Sequence, residues 1–240
     1  MYEVPDRTGR FSTRPFYSQN ELDIECETII TKFLLESRGA VSFPIATDDL
    51  ETLIENYVDD LDSYGDLSSY GENVEGVTLF SKNSKPKVII SSTLHEDSRR
   101  ENRYRTTLTH EFGHVHFHGY LFAMDLQETL WASKQKNPNE VICKRDKIID
   151  APNSQVDWME WQAGYVCSSL LMPKSHLNRF VSNFRQEQEQ LGTIHANSSA
   201  ATLLIEQVAE KFQVSRDAAQ IRLTKLGILS LESTSSLSLF

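Results

Sequence analysis

The sequence predicts an α+β fold, with a small β-sheet, two long helices that carry the chemistry, and a helical C-terminal segment. Three observations predict it. The short runs Gly76–Phe80 and Lys87–Ile90 flank the polar stretch 81–86 and read as two strands joined by a hairpin loop. The stretch Arg99–Phe117 contains no proline and spaces Leu108, Phe112 and Val115 four and three apart, as a buried helix face requires. Near the C-terminus, Ala201–Phe212 and Arg216–Leu226 are apolar-periodic and separated only by Gln213-Val214-Ser215, a helix-turn-helix arrangement.

Taken in order, residues 1–18 are polar and extended. Ser18 or Asn20 caps a helix running to about Ser37, with Leu22, Cys26, Ile29, Ile30, Phe33 and Leu34 on one face. Gly39 and Pro44 end it. Asp48 or Asp49 starts a second helix through about Leu61, with Leu50, Leu53, Ile54, Val58 and Leu61 inward and a solvated acidic face opposite. Residues 65–75 are turn-like. Residues 119–156 are too long for a structureless connection. In them Phe122–Ser133 reads as helix, Val141-Ile142-Cys143 as a short strand, and Asn137-Pro138-Asn139 and Ala151-Pro152-Asn153 as turns. This segment is expected to wall or cover a cleft, with Lys144, Arg145 and Lys147 as solvated surface. Asp157 and Pro173 bracket a helix with Met159, Ala163, Val166, Cys167 and Leu170 on its core face. A further helix spans Lys174–Leu191, and Gly192–Ser199 is loop. The expected organisation is 1–64 as an N-terminal helical segment packed on the core, 65–200 as the core, 201–232 as the C-terminal helices and 233–240 as a disordered, serine-rich tail.

A chain of 240 residues with 39% hydrophobic and 24% charged residues can bury a proper core. Its net charge of −10 argues against a broad nucleic-acid surface. Cys26, Cys143 and Cys167 are odd in number and far apart, and none forms CxxC, so neither a disulfide scaffold nor a zinc ribbon is expected. The first residues lack a basic-then-apolar leader, and no apolar run reaches the roughly 20 residues of a membrane span, so a cytoplasmic protein without membrane partners is expected.

The chemistry centres on His110-Glu111-Phe112-Gly113-His114, an HExxH motif. Helical residues four apart share a face, so both imidazoles can hold one Zn²⁺. Glu111 projects off that stripe, where it can act as general base on water activated by the metal. Gly113 weakens the helix by about 1 kcal/mol relative to alanine, which makes sense where another segment packs close. A catalytic zinc site needs a third protein ligand. His116 points to another face, and His118 lies eight residues past His110, about 12 Å along the axis at 1.5 Å per residue. The chain has Tyr120 where a metzincin needs its third histidine. Glu160, one turn before Ala163 at the edge of an apolar stripe, is the better candidate, with Asp157 as second choice. His116, His118 and Tyr120 remain open as oxyanion donors.

The ordered set of HExxH, a later Glu160-x-x-Ala163 and Leu170-Leu171-Met172-Pro173 resembles the ImmA/IrrE family of zinc metallopeptidases, over about residues 70–229. Aligned on the family's LLMP, Glu160 takes the place of its first glutamate, Gln162 stands where a second glutamate is usual, and Gly164 where asparagine is usual. His118 matches a histidine often found past HExxH in the family and reads as supporting the ligands or facing substrate. The resemblance implies a zincin-like, gluzincin-like core, with the sheet preceding the HExxH helix, and His110, His114 and Glu160 as zinc ligands. It also implies cleavage of a helix-turn-helix transcriptional repressor in a mobile-element or stress-response switch. Mn²⁺ and Fe²⁺ suit the same donors. The alternative is a non-catalytic regulator that binds a repressor or DNA through 201–232. There Lys211, Arg216, Arg222 and Lys225 are balanced by Glu206, Glu210, Asp217 and Glu232, so direct DNA reading is disfavoured.

Overall fold

The chain begins with an antiparallel hairpin, β1 (Tyr2–Pro5) and β2 (Thr13–Phe16), in which Glu3 faces Pro15. Its connection is organised by Asp6, whose carboxylate accepts from the Thr8 N–H at 2.9 Å and the Phe11 N–H at 3.0 Å. Helix α1 (Gln19–Arg38) follows because Ser18 and Glu21 form a capping box and Gly39 closes the far end at φ 73°. Ser18 is therefore the cap, and Leu22, Cys26, Ile30 and Leu34 are its buried stripe. The computed structural model describes residues 1–81, 84–128, 140–144, 157–189 and 192–231.

Helix α2 (Thr47–Glu55) is shorter than expected and starts at Thr47, with no side-chain cap on Ala46. Asp49 is not a solvated acid, because its carboxylate meets the Arg38 guanidinium of α1 at 2.8 Å. The expected helix through Leu61 is replaced by β3 (Asp60–Gly65), whose Leu61 lies beside Val88. Partner strands decide this segment. Its residues alternate exposed and half-buried along the sheet, a period of two rather than 3.6. Then come β4 (Val74–Leu79), β5 (Lys87–Ser91), the single turn α3 (Ser92–His95), α4 (Glu101–Glu128), β6 (Glu140–Lys144) and α5 (Trp158–Leu171).

The four-stranded sheet has the order β3-β5-β4-β6, with β3 parallel to β5 and the other pairs antiparallel. The two expected strands are its centre, and β6 contains the expected Val141–Cys143. Helix α4 runs well past Phe117, so the Phe122 end of the next expected helix is part of it. The rest of that helix, the turns at 137–139 and 151–153, and Arg145 and Lys147 lie outside the described residues. Helix α5 is buried nearly all round, not on one stripe. Trp158, Met159, Glu160, Gln162, Ala163, Tyr165, Val166, Cys167, Ser169, Leu170 and Leu171 are all covered. It packs between α1 and α4 in the compact unit Met1–Leu171.

The second unit, Met172–Phe240, contains α6 (Lys174–Glu187), β7 (Ile194–His195), α7 (Ser199–Phe212), α8 (Arg216–Lys225) and β8 (Leu229–Ser230). Helix α6 stops at Glu187, short of Leu191, with the Gln188 N–H bonded back to Phe184 O at 2.9 Å. Gln213 takes the left-handed conformation at φ 52° and ends α7, and Ser215 caps α8 through the Ala218 N–H at 3.1 Å. β7 and β8 pair in parallel. The expected tail 233–240 lies outside the described residues. Among the described residues, no helix is long and apolar enough to cross a membrane.

Candidate metal centre

Helix α4 carries His110 and His114 on one face, and their Nε2 atoms lie 3.1 Å apart. Glu160 of α5 faces both, with Oε2 3.4 Å from His110 Nε2 and Oε1 3.4 Å from His114 Nε2. All three side chains are buried, and their donor atoms lie within 4.8 Å of one another. Donors on a tetrahedral ion with bonds of about 2.0–2.1 Å lie about 3.3 Å apart. The two nitrogens, and each nitrogen and its nearer Glu160 oxygen, are therefore separated by about the edge length of such a tetrahedron. Glycine at 113 makes this approach possible. A Cβ there would lie 2.9 Å from the Ala163 Cα, so α4 and α5 touch backbone to backbone one turn after Glu160.

Burial pushes the Glu160 carboxyl upward, but contact with His110 and His114 and their charge outweighs it and holds the group below the usual carboxylate range. For His114, burial favours the neutral ring, and Glu160 overcomes it and raises its affinity for a proton. Glu160 Oε2 and His110 Nδ1 have no hydrogen-bond partner among the described residues, an expensive state for buried polar atoms. Two imidazoles and a carboxylate that converge in a dry place, with orphaned polar atoms, fit a divalent ion.

Glu111 stands beside this cluster, fully buried. The Thr78 hydroxyl of β4 donates to its Oε2 at 2.5 Å, while its Oε1 has no partner among the described residues. Gly76, also on β4, gives it room, since a Cβ there would lie 2.5 Å from Glu111 Oε1. Burial raises the Glu111 carboxyl above its ordinary range, against the pull of His114, His110 and the Thr78 hydrogen bond.

The remaining candidates separate by place. His118 is buried under the cluster, its Nδ1 3.1 Å from His114 Nδ1 and its Nε2 2.9 Å from Gln162 Oε1. Burial, then the neighbouring His114, push its pKa well down, so the ring is neutral. Asp157 stands at the start of α5, where its Oδ1 accepts from the Met159 N–H at 3.0 Å, and Glu160 rather than Asp157 joins the histidines. His116 is not brought to the cluster. Two positions past His114, it turns to the other side of α4, stacks on Phe112 and reaches Glu25 at 3.2 Å. Tyr120 is 37% exposed, and the partial burial of its ring, with Tyr17 and Glu3 nearby, pushes its hydroxyl up to about 12.

The family model described as the IrrE N-terminal-like domain, Peptidase_M78, matches residues 73–224. The chain belongs to the M78 peptidase family. No curated protein matches it. The matched stretch begins at β4 and includes every residue of the cluster, and the mixed helix-and-sheet architecture is that of a zincin-like M78 domain.

Two residues of this site escaped the sequence reading, and a third was named without its contacts. Thr78 and Gly76 come from β4 and reach Glu111 across more than thirty positions. A glycine within a strand does signal close approach of another group, and Gly76 is one. Gln162 stands where the family usually has glutamate, which flagged it as a departure without showing what it touches.

Proposed function

We propose that the chain is a zinc-dependent endopeptidase, with His110, His114 and Glu160 as metal ligands and Glu111 as general base. The observation that carries this is the convergence of the three donor groups at tetrahedral spacings, with the free Oε1 of Glu111 beside them. A divalent ion bound there supplies a Lewis acid that polarises the scissile carbonyl and lets water lose a proton near neutral pH. Glu111 receives that proton at Oε1 while the water oxygen bonds to the carbonyl carbon. It then delivers the proton to the departing amine nitrogen as the C–N bond breaks. The Thr78 hydroxyl holds the other carboxylate oxygen, so Glu111 keeps one orientation through both transfers. Zinc is the proposed ion, and Mn²⁺ or Fe²⁺ is distinguished by metal analysis.

The proposed substrate is a helix-turn-helix transcriptional repressor in a mobile-element or stress-response switch, a reading that rests on the resemblance carried by the HExxH, Glu160-x-x-Ala163 and Leu170–Pro173 motifs. Cys26 and Cys167 are buried thiols, not a disulfide, which suits a reducing, cytoplasmic setting. No observation favours the alternative, a regulator that binds DNA through its C-terminal helices. Arg222 of α8 is fully buried with its Nε on Met172 O at 3.3 Å, and Arg216 is paired with Glu206. The test is incubation of purified protein with the helix-turn-helix repressors of its own genome. Discrete fragments that form with wild type and not with Glu111→Gln support the reading, and fragments that form equally with both overturn it.

A further inference from the structure

The hydrogen bonds behind His114 run in one direction and can be followed atom by atom. Pro15 O, on β2, can only accept. The Gln162 side-chain nitrogen, 3.1 Å away, therefore donates to it, and the Gln162 amide has a single allowed orientation. That orientation turns Gln162 Oε1 toward His118 Nε2 at 2.9 Å. A carbonyl oxygen again only accepts, so His118 bears its proton on Nε2. With its ring proton placed on Nε2, His118 presents a lone pair on Nδ1, which faces His114 Nδ1 at 3.1 Å. His114 must donate from Nδ1, and its Nε2, facing His110 and Glu160, is left with its lone pair free.

We propose that Gln162 and His118 are positioning residues that hold His114 in the tautomer able to bind a divalent cation, with the N-terminal hairpin as the fixed end of the chain. The inference rests on the metallopeptidase reading above and adds to it the device that prepares one ligand. Ligating histidines usually give their second N–H to a carboxylate, a carbonyl or water. Here a second histidine and an amide relay that role to a backbone carbonyl, and no carboxylate takes part in the relay.

The geometry shows why the relay is stiff. The His118 ring meets the Trp158 ring edge to face at 5.3 Å. The Trp158 indole N–H donates to Asp6 Oδ1 at 3.2 Å, and Phe11 packs edge-on against Phe122 at 5.3 Å. The hairpin is thus fastened to α4 and α5 at several points besides Pro15. It also lies before residue 73, outside the stretch matched by the family model. A segment outside the matched domain therefore sets the proton order inside it.

The test uses the full chain with His118→Phe, His118→Asn and Gln162→Met. Phenylalanine keeps the ring packing and loses both nitrogens. Asparagine restores an acceptor near the Nδ1 position, and methionine keeps the Gln162 volume without the amide. Zinc affinity is measured by competition with a chromogenic chelator, and the melting temperature is measured on metal-free protein. The expected result is zinc affinity about 10–100-fold weaker for His118→Phe and Gln162→Met. His118→Asn should recover part of the loss, and the double variant His118→Phe/Gln162→Met should be no weaker than His118→Phe, since the links act in series. Zinc affinity unchanged in either single variant, whatever happens to the metal-free melting temperature, overturns the relay. Wild-type protein that binds no zinc overturns the parent reading instead.

Discussion

Glu111 is fixed by the Thr78 hydroxyl and by the room that Gly76 leaves, and its charge and its position can be altered separately. Replacing its carboxylate, Glu111→Gln, keeps the shape and the Thr78 contact but abolishes proton acceptance. Turnover should fall by about 10²–10⁴-fold with the metal retained, measured as peptide-cleavage rate alongside metal content. Gly76→Ala acts from the other side. The new Cβ would fall 2.5 Å from Glu111 Oε1, and the carboxylate, as the softer partner, must move. A shift of that size costs on the order of 10²-fold in rate, while zinc affinity stays as in wild type because the ligands are untouched. Equal rates in wild type and Gly76→Ala would show that the Glu111 position is not critical. At this scale the sequence was legible where chemistry is local. The HExxH spacing places two imidazoles on one helical face by geometry alone. Thr78 and Gly76 were not legible, because their meeting with Glu111 depends on how a strand lies across a helix far along the chain.

The α4–α5 contact is the element on which the site depends. Gly113 and Ala163 bring the two backbones together, and Glu160 reaches the histidines only because they do. Gly113→Val should force the helices apart, destabilising the protein by about 1–3 kcal/mol, as overpacking does. It should also weaken zinc binding without touching a ligand, as read by denaturant unfolding and chelator competition. The N-terminal hairpin carries a pH dependence. Asp6 is partly buried, which raises its pKa. Hydrogen bonds from Thr8, Phe11 and Trp158 outweigh this and leave the folded value below the ordinary aspartate value of 3.8. A depressed carboxylate contributes stability that is present above its unfolded pKa and lost as pH falls through the folded value. The hairpin's hold on Trp158 should therefore weaken below about pH 4. The difference in tryptophan fluorescence between wild type and Asp6→Asn should be constant near neutrality and shrink as acid protonates Asp6. A difference that does not vary with pH would contradict it. Legibility at this scale was uneven. The Ser18–Glu21 capping box and the Gly39 stop are written locally, so α1 was readable. β3 was not, because Asp60-Leu61-Asp62-Ser63-Tyr64-Gly65 has one aliphatic residue and becomes a strand through β5.

For the molecule as a whole, the proposed centre would couple folding to metal binding. An ion that binds only the folded unit stabilises it by about 2.7 kcal/mol when its free concentration is a hundredfold above Kd. Stripping the metal with a chelator should lower the melting temperature, and zinc should restore it. Glu160→Ala protein should show neither change. The broad outline of the molecule was legible because α+β alternation, the motif helix and the C-terminal helix pair are each patterned within themselves. The N-terminal hairpin's part in the site was not, since Pro15 and Gln162 meet only once the whole first unit has folded.

The most direct measurement is the metal content of purified full-length protein, determined by elemental mass spectrometry for wild type, His114→Ala and Glu160→Ala. One equivalent of zinc per chain in wild type, with most of it lost in both variants, is the predicted result. A metal-free wild type, or a full equivalent retained by both variants, would contradict a centre built from His110, His114 and Glu160.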